Sequence, residues 1–200
     1  RLDEVRSLLD LDGIDIHHSD KNGCTSLYAA SQEGHIDIVK VLIKAGGNVN
    51  QANKKGFSTL YQASAKGNVA IVKVLLKAGG NVNQAATVDG TSPLYCASHN
   101  GHVDLVKVLL KAGGNVNQAN KNGASPLFIA SENGHFDIAK ILIEAGADVN
   151  QATIDNGTPL YSATESGHVD IIKLLLNVTG IDIDKKFHGK FSPLMKAKEE

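Results

Sequence analysis

Ser125-Pro126-Leu127-Phe128-Ile129-Ala130-Ser131-Glu132-Asn133-Gly134-His135 continues through Phe136-Asp137-Ile138-Ala139-Lys140-Ile141-Leu142-Ile143 to Gly146-Ala147-Asp148-Val149-Asn150. The stretch reads as helix, turn, helix, turn. A hydroxyl at Ser125 followed by Pro126 opens a helix, because the first N–H groups lack intrahelical acceptors and proline gives up none that is needed. Gly134 ends that short helix, where a positive φ is easily adopted. The second helix carries apolar residues around most of its surface and leaves a narrow strip for Asp137 and Lys140. Gly146 closes it, and a turn-rich connector follows.

The same phrase recurs along the chain. The glycine before the second helix falls at Gly34, Gly67, Gly101, Gly134 and Gly167, at intervals of 33, 34, 33 and 33 residues. A fixed period of this size predicts a stacked array of one supersecondary unit. The divisions are a partial repeat at 1–19, full repeats at 20–52, 53–85, 86–119, 120–152 and 153–185, and a partial repeat at 186–200. The third repeat carries one extra residue in its Ala86-Thr87-Val88-Asp89 hairpin, and the fifth moves its hairpin glycine one place, to Gly157. Ser92, Ser125, Thr158 and Ser192 each precede one of the chain's four prolines, so proline is used only to start helices.

The repeated core is Ser92-Pro93-Leu94-Tyr95-Cys96-Ala97, Ser125-Pro126-Leu127-Phe128-Ile129-Ala130 and Thr158-Pro159-Leu160-Tyr161-Ser162-Ala163, with looser forms at 25–30 and 58–63. With its period, this core resembles the ankyrin repeat. The resemblance covers essentially the whole chain and implies an all-α solenoid of stacked helix–turn–helix units joined by short hairpins. Where the family core has histidine, this chain has Tyr28, Tyr61, Tyr95, Phe128 and Tyr161. The family histidine ties one turn to the next by hydrogen bonds. Phe128 has no polar atom to do so, which puts that tie in doubt in the fourth repeat.

Composition narrows the function. The net charge is −1, and only Arg1 and Arg6 are arginine, so no bulk field or arginine fork favours nucleic acid. No apolar run approaches the ~18–20 residues that span a bilayer. Cys24 and Cys96 lie two repeats apart, roughly 20 Å at ~10 Å per packed helix, too far for a disulfide. Free thiols fit a reducing compartment, cytoplasmic or nuclear. The chain begins at Arg1 without methionine, and both ends cut through a repeat, so a longer parent protein is expected. Leu2, Val5, Leu8 and Leu9 resemble a second helix without its first. We expect that face to be frayed or covered end-to-end by another chain. Phe191 matches the slot of Phe57, and Ser192-Pro193-Leu194 opens a further helix.

Reactive constellations are weak. His35, His102, His135 and His168 each follow the repeated glycine, one per repeat, and so cannot converge on an ion at the ~2 Å distances zinc requires. The expected role is to brace the turn between each repeat's own helices. Asn68 takes this position in the second repeat. No nucleophile elbow, phosphate loop or dinucleotide fingerprint is present, so neither catalysis nor a cofactor is expected. The aromatic row is read as packing between repeats, and the Asp–Lys strip as a solvated face.

What remains is the surface that differs between repeats, which the ankyrin family uses to grip proteins. Its hairpin tips are Lys21 and Asn22, Lys54 and Lys55, Val88 and Asp89, Lys121 and Asn122, and Ile154 and Asp155. Cys24, Phe57, Thr91 and Ala124 follow the tip glycines. The first-helix ends carry Gln32 and Glu33, Lys66, His99 and Asn100, Glu132 and Asn133, and Glu165. The expected function is non-catalytic binding of a protein or peptide on the concave face, with Phe57 as an anchor. One rival, implied by the resemblance, is asparaginyl hydroxylation at Asn150, within Leu142…Asp148-Val149-Asn150. The other is a spacer arm of a larger channel or effector.

Overall fold

The computed structural model describes residues 2–9 and 14–189. Phe191 and the helix opening at Ser192 lie outside those residues. The elements are α1 (Leu2–Leu9), α2 (Ser26–Gln32), α3 (Ile36–Lys44), α4 (Thr59–Ala65), α5 (Val69–Lys77), α6 (Pro93–His99), α7 (Val103–Lys111), α8 (Pro126–Glu132), α9 (Phe136–Glu144), α10 (Pro159–Glu165) and α11 (Val169–Leu176). Five helix pairs therefore follow α1 among the described residues. No strand forms there; extended pairing is limited to isolated bridges such as Ser19–Thr25 and Ala52–Ser58.

Each first helix opens on its predicted cap. The side-chain oxygens of Thr25, Ser58, Ser92, Ser125 and Thr158 accept the N–H of Tyr28, Tyr61, Tyr95, Phe128 and Tyr161 at 3.1–3.2 Å. First helices stack on first helices and second on second, so the array is two layers deep. Leu60, Leu94, Leu127 and Leu160 seal one layer, and Leu75, Leu109, Leu142 and Leu175 the other, all at most 2% exposed. Small residues at Ala63, Ala97, Ala130 and Ala163 are fully buried where the layers approach.

The first helix, α1, forms and packs on α3. Leu9 reaches the core, but none of its residues is buried and Leu8 remains 54% exposed. Among the described residues no first helix pairs with it.

The fifth repeat solves its displaced glycine in an instructive way. Asn156 takes the left-handed turn position at φ 64°, which asparagine tolerates better than most residues. Gly157 is then free for close approach: a side chain there would press on Phe128 and Phe187.

Candidate functional site

The array has two long edges, each built by bonds between neighbouring repeats. One consists of the connectors. Within each, the Asn48, Asn81, Asn115 or Asp148 carboxamide or carboxylate oxygen accepts the N–H two residues on, which folds the turn. The next asparagine then reaches across. Asn50 Nδ2 donates to the Gly79 carbonyl at 3.0 Å, and its Oδ1 accepts the Asn81 N–H at 2.7 Å. Asn83 clips Gly113 and Asn115 in the same way, and Asn150 clips Gly180 and Asp182. Gln84, Gln118 and Gln151 donate back to the carbonyls of Asn50, Asn83 and Asn117. Asn150, expected as a modification candidate, is therefore half-buried with both ends of its amide engaged.

The other edge consists of the hairpin tips. Their backbones are bonded in sequence: Lys54 N–H to Asn22 O at 2.9 Å, Val88 to Lys55 at 3.3 Å, Lys121 to Asp89 at 2.8 Å and Ile154 to Asn122 at 2.9 Å. Each tip is also held from within. The Asp20, Asn53 and Asn120 side-chain oxygens each accept two N–H groups of their own hairpin. Donation from the Cys24 N–H above all, opposed by desolvation and supported by Asn22, holds the Asp20 carboxyl below the usual range. Backbone is fixed along this edge, while its side chains face solvent.

Lys21, Asn22, Lys54, Lys55, Val88, Lys121, Asn122, Ile154 and Asp155 are exposed or nearly so, as are Gln32, Glu33, Lys66, His99, Asn100, Glu132, Asn133 and Glu165. Asp89 is half-buried. Thr91 corrects the expectation. It is 6% exposed, and its hydroxyl donates to Asp89 Oδ1 at 2.6 Å. Ala86, which has no polar side-chain atom, opens this hairpin where the others have Asp20, Asn53, Asn120 and Thr153, so Asp89 in the lengthened tip takes both the N–H and the hydroxyl of Thr91 instead. Ala124, also 6% exposed, is likewise drawn in.

Between the first two tips lies a groove of about 450 Å³ lined by Asn22, Cys24, Gln32, Lys54, Lys55 and Phe57, among others. Phe57 is half-buried and stacks on Tyr61, with centroids 4.7 Å apart. A smaller groove of about 280 Å³, lined by Asp89, Thr91, Cys96 and His99 among others, sits one repeat further on. Lys66 lies outside the lining of both.

The tyrosines supply an unexpected tie. The Tyr28 hydroxyl donates to Gln62 Oε1 at 3.1 Å and accepts from Asn53. Because the Thr91 proton goes to Asp89, the Tyr61 hydroxyl donates to Thr91 Oγ1 at 3.4 Å, while Tyr95 accepts from Asn120. A longer side chain thus bridges repeats where the family histidine would, and burial pushes the Tyr28 and Tyr95 hydroxyls up to about 12. Phe128 makes no such bond and faces Gly157.

The histidines after the repeated glycines require a second correction. Three of the four reach out of their own turns. The Nε2–H groups of His102, His135 and His168 donate to the carbonyls of Ala65, His99 and Glu132, each in the preceding repeat, at 3.1–3.2 Å. A carbonyl only accepts, so the proton sits on Nε2. Asn68 instead caps α5 by accepting the Ile71 N–H. Among the described residues no cluster of three His, Cys, Asp or Glu could hold a metal ion. On the outer strip, Lys40 pairs with Asp37 and Lys107 with Asp104, both exposed. Cys24 and Cys96 are unpaired; burial pushes the Cys96 thiol up to about 11. No described helix is long and apolar enough to cross a membrane.

A family model described as ankyrin repeats matches over residues 1–86, 79–153 and 114–187. No individual curated protein is similar enough to count as a match. Repeats of this kind serve in general as protein–protein interaction modules and are in general non-catalytic. The match spans nearly every helix pair described above, and the chain belongs to the ankyrin repeat family.

Proposed function

We propose that this array binds a protein or peptide ligand through its tip edge and the adjoining first-helix ends, with Phe57 as apolar anchor. The observation that carries the reading is the groove where Phe57 meets Lys54, Lys55, Asn22 and Gln32 on a hydrogen-bonded row of tips. A pre-ordered row limits the ordering cost of binding, and aromatic anchors beside charged neighbours are the usual sites of concentrated affinity. Lys54, Lys55 and Lys66 favour acidic groups beside an apolar one. A net charge of −1 with two arginines favours protein over nucleic acid, and two unpaired thiols suit a reducing, intracellular setting.

The test compares capture of the natural partner by two variants. Phe57→Ala/Lys66→Ala should weaken affinity by about 1–2 kcal/mol with an unchanged melting curve. Lys73→Ala/Lys107→Ala/Lys140→Ala, on the outer strip, should weaken it only slightly, and less at high salt. The reverse pattern would place the working surface on the convex side.

A further inference from the structure

We infer that the tip edge docks a second molecule of this chain, antiparallel, about a two-fold axis lying between the third and fourth repeats. The inference rests on the binding surface proposed above and names its occupant. Under such an axis every contact occurs twice, because the same patch serves both molecules. The second repeat of one molecule then faces the fifth repeat of the other.

The side chains match across that pairing. Lys54 and Lys55, both exposed, meet Asp155, whose side chain is 51% exposed and lies 3.7 Å from its own His188. Phe57 meets Ile154, which at 72% is the most exposed large apolar side chain among the described residues. At the first-helix ends, Lys66 meets Glu165. The third repeat faces the fourth, which brings Asp89 to Lys121 and His99 to Glu132. This central pairing contributes less, since Asp89 already accepts from Thr91 and Lys121 Nζ donates to the Thr87 carbonyl at 2.6 Å.

Charge also weighs against the neighbouring registers more than against this one, whose outermost pairing sets Lys21 opposite Lys186. Moving the axis half a repeat, onto the third repeat, sets Lys54 and Lys55 against Lys121, and Glu33 against Glu165. Moving it between the second and third repeats sets Lys21 against Lys121 and Glu33 against Glu132. Like charges placed opposite each other reject a partner as effectively as good contacts select one. A net charge of −1 leaves no bulk repulsion between two molecules. Backbone bonds from tip to tip hold the whole row in place, so the pairs do not have to be ordered one by one.

Sedimentation velocity on the chain, from micromolar to millimolar concentration at low and high salt, tests this. The wild type should form a concentration-dependent dimer that weakens with salt. Lys55→Glu/Lys66→Glu and Asp155→Lys/Glu165→Lys should each dimerise at least about tenfold more weakly, because each sets like charges together at both ends of the interface. An equimolar mixture of the two variants restores opposite charges at both ends, and should recover a heterodimer of wild-type strength. A wild-type chain monomeric at every concentration overturns the inference, as does a dimer that ignores both charge swaps or a mixture that does not recover. If the chain is monomeric yet Phe57→Ala/Lys66→Ala still reduces capture of another protein, the two-fold docking fails while the tip edge stands as a binding surface.

Discussion

The connector edge and the tip edge run the length of the same solenoid, and both are stitched from repeat to repeat. They differ in which atoms do the stitching. At the connectors side chains carry the bonds: Asn50, Asn83 and Asn150 each clip the following repeat through both ends of an amide. Accordingly the Asn-Val-Asn-Gln letters return almost unchanged. At the tips the backbone carries the bonds, and the side chains change from Lys54 to Val88 to Ile154. A polar residue that repeats is therefore no sign of a binding site here. The residues free to differ are those whose backbone already does the structural work.

The largest effect should come from breaking the tip backbone. Gly56 has φ 80°, and a side chain there would collide with the Thr87 backbone of the next tip. Gly56→Ala should cost about 2–4 kcal/mol by urea denaturation, combining left-handed strain with overpacking. Between the edges, Ala130 is fully buried, and Ala130→Leu should cost about 1–3 kcal/mol, against no more than ~0.5 kcal/mol for Lys107→Ala on the outer strip. At the connector, Asn83→Ala removes two bonds and should cost about 1–2 kcal/mol. Lys54→Ala, on a tip, should change stability by less than about 0.5 kcal/mol. Equal melting shifts for Asn83→Ala and Lys54→Ala would erase the distinction between the edges.

Much of this was legible in the sequence, because its signals are local. Period, caps and turn glycines lie within a few residues of one another, and Ser125-Pro126 opening α8 is typical. The candidate tips were legible too, as positions that vary on a repeating frame. What could not be read was anything that depends on how one repeat sits on the next. The acceptors of His102, His135 and His168 lie 36 or 37 residues away, and Tyr28 and Gln62 are separated by 34. Only the stacking distance decides whether such atoms meet. Thr91 varies as a tip residue does, yet it is drawn in because Ala86 offers no polar atom and Asp89 takes its N–H and hydroxyl.

The ties across each boundary set where the molecule comes apart. From the first repeat to the fourth, each boundary has a tyrosine hydroxyl bond and a glutamine bridge. Between the fourth and fifth, Phe128 stands where the tyrosine would be. Lys185 occupies the glutamine's place, its N–H turned to Asp182 of its own connector. The Asn150 clip, the His168 bond and the tip bond remain there. In a linear array, stability is close to a sum of unit and nearest-neighbour terms, so the weakest boundary decides where it parts. Among the boundaries between the five full repeats, the one ahead of α10 and α11 is the lighter coupling, and the array should part there before it parts at the other three.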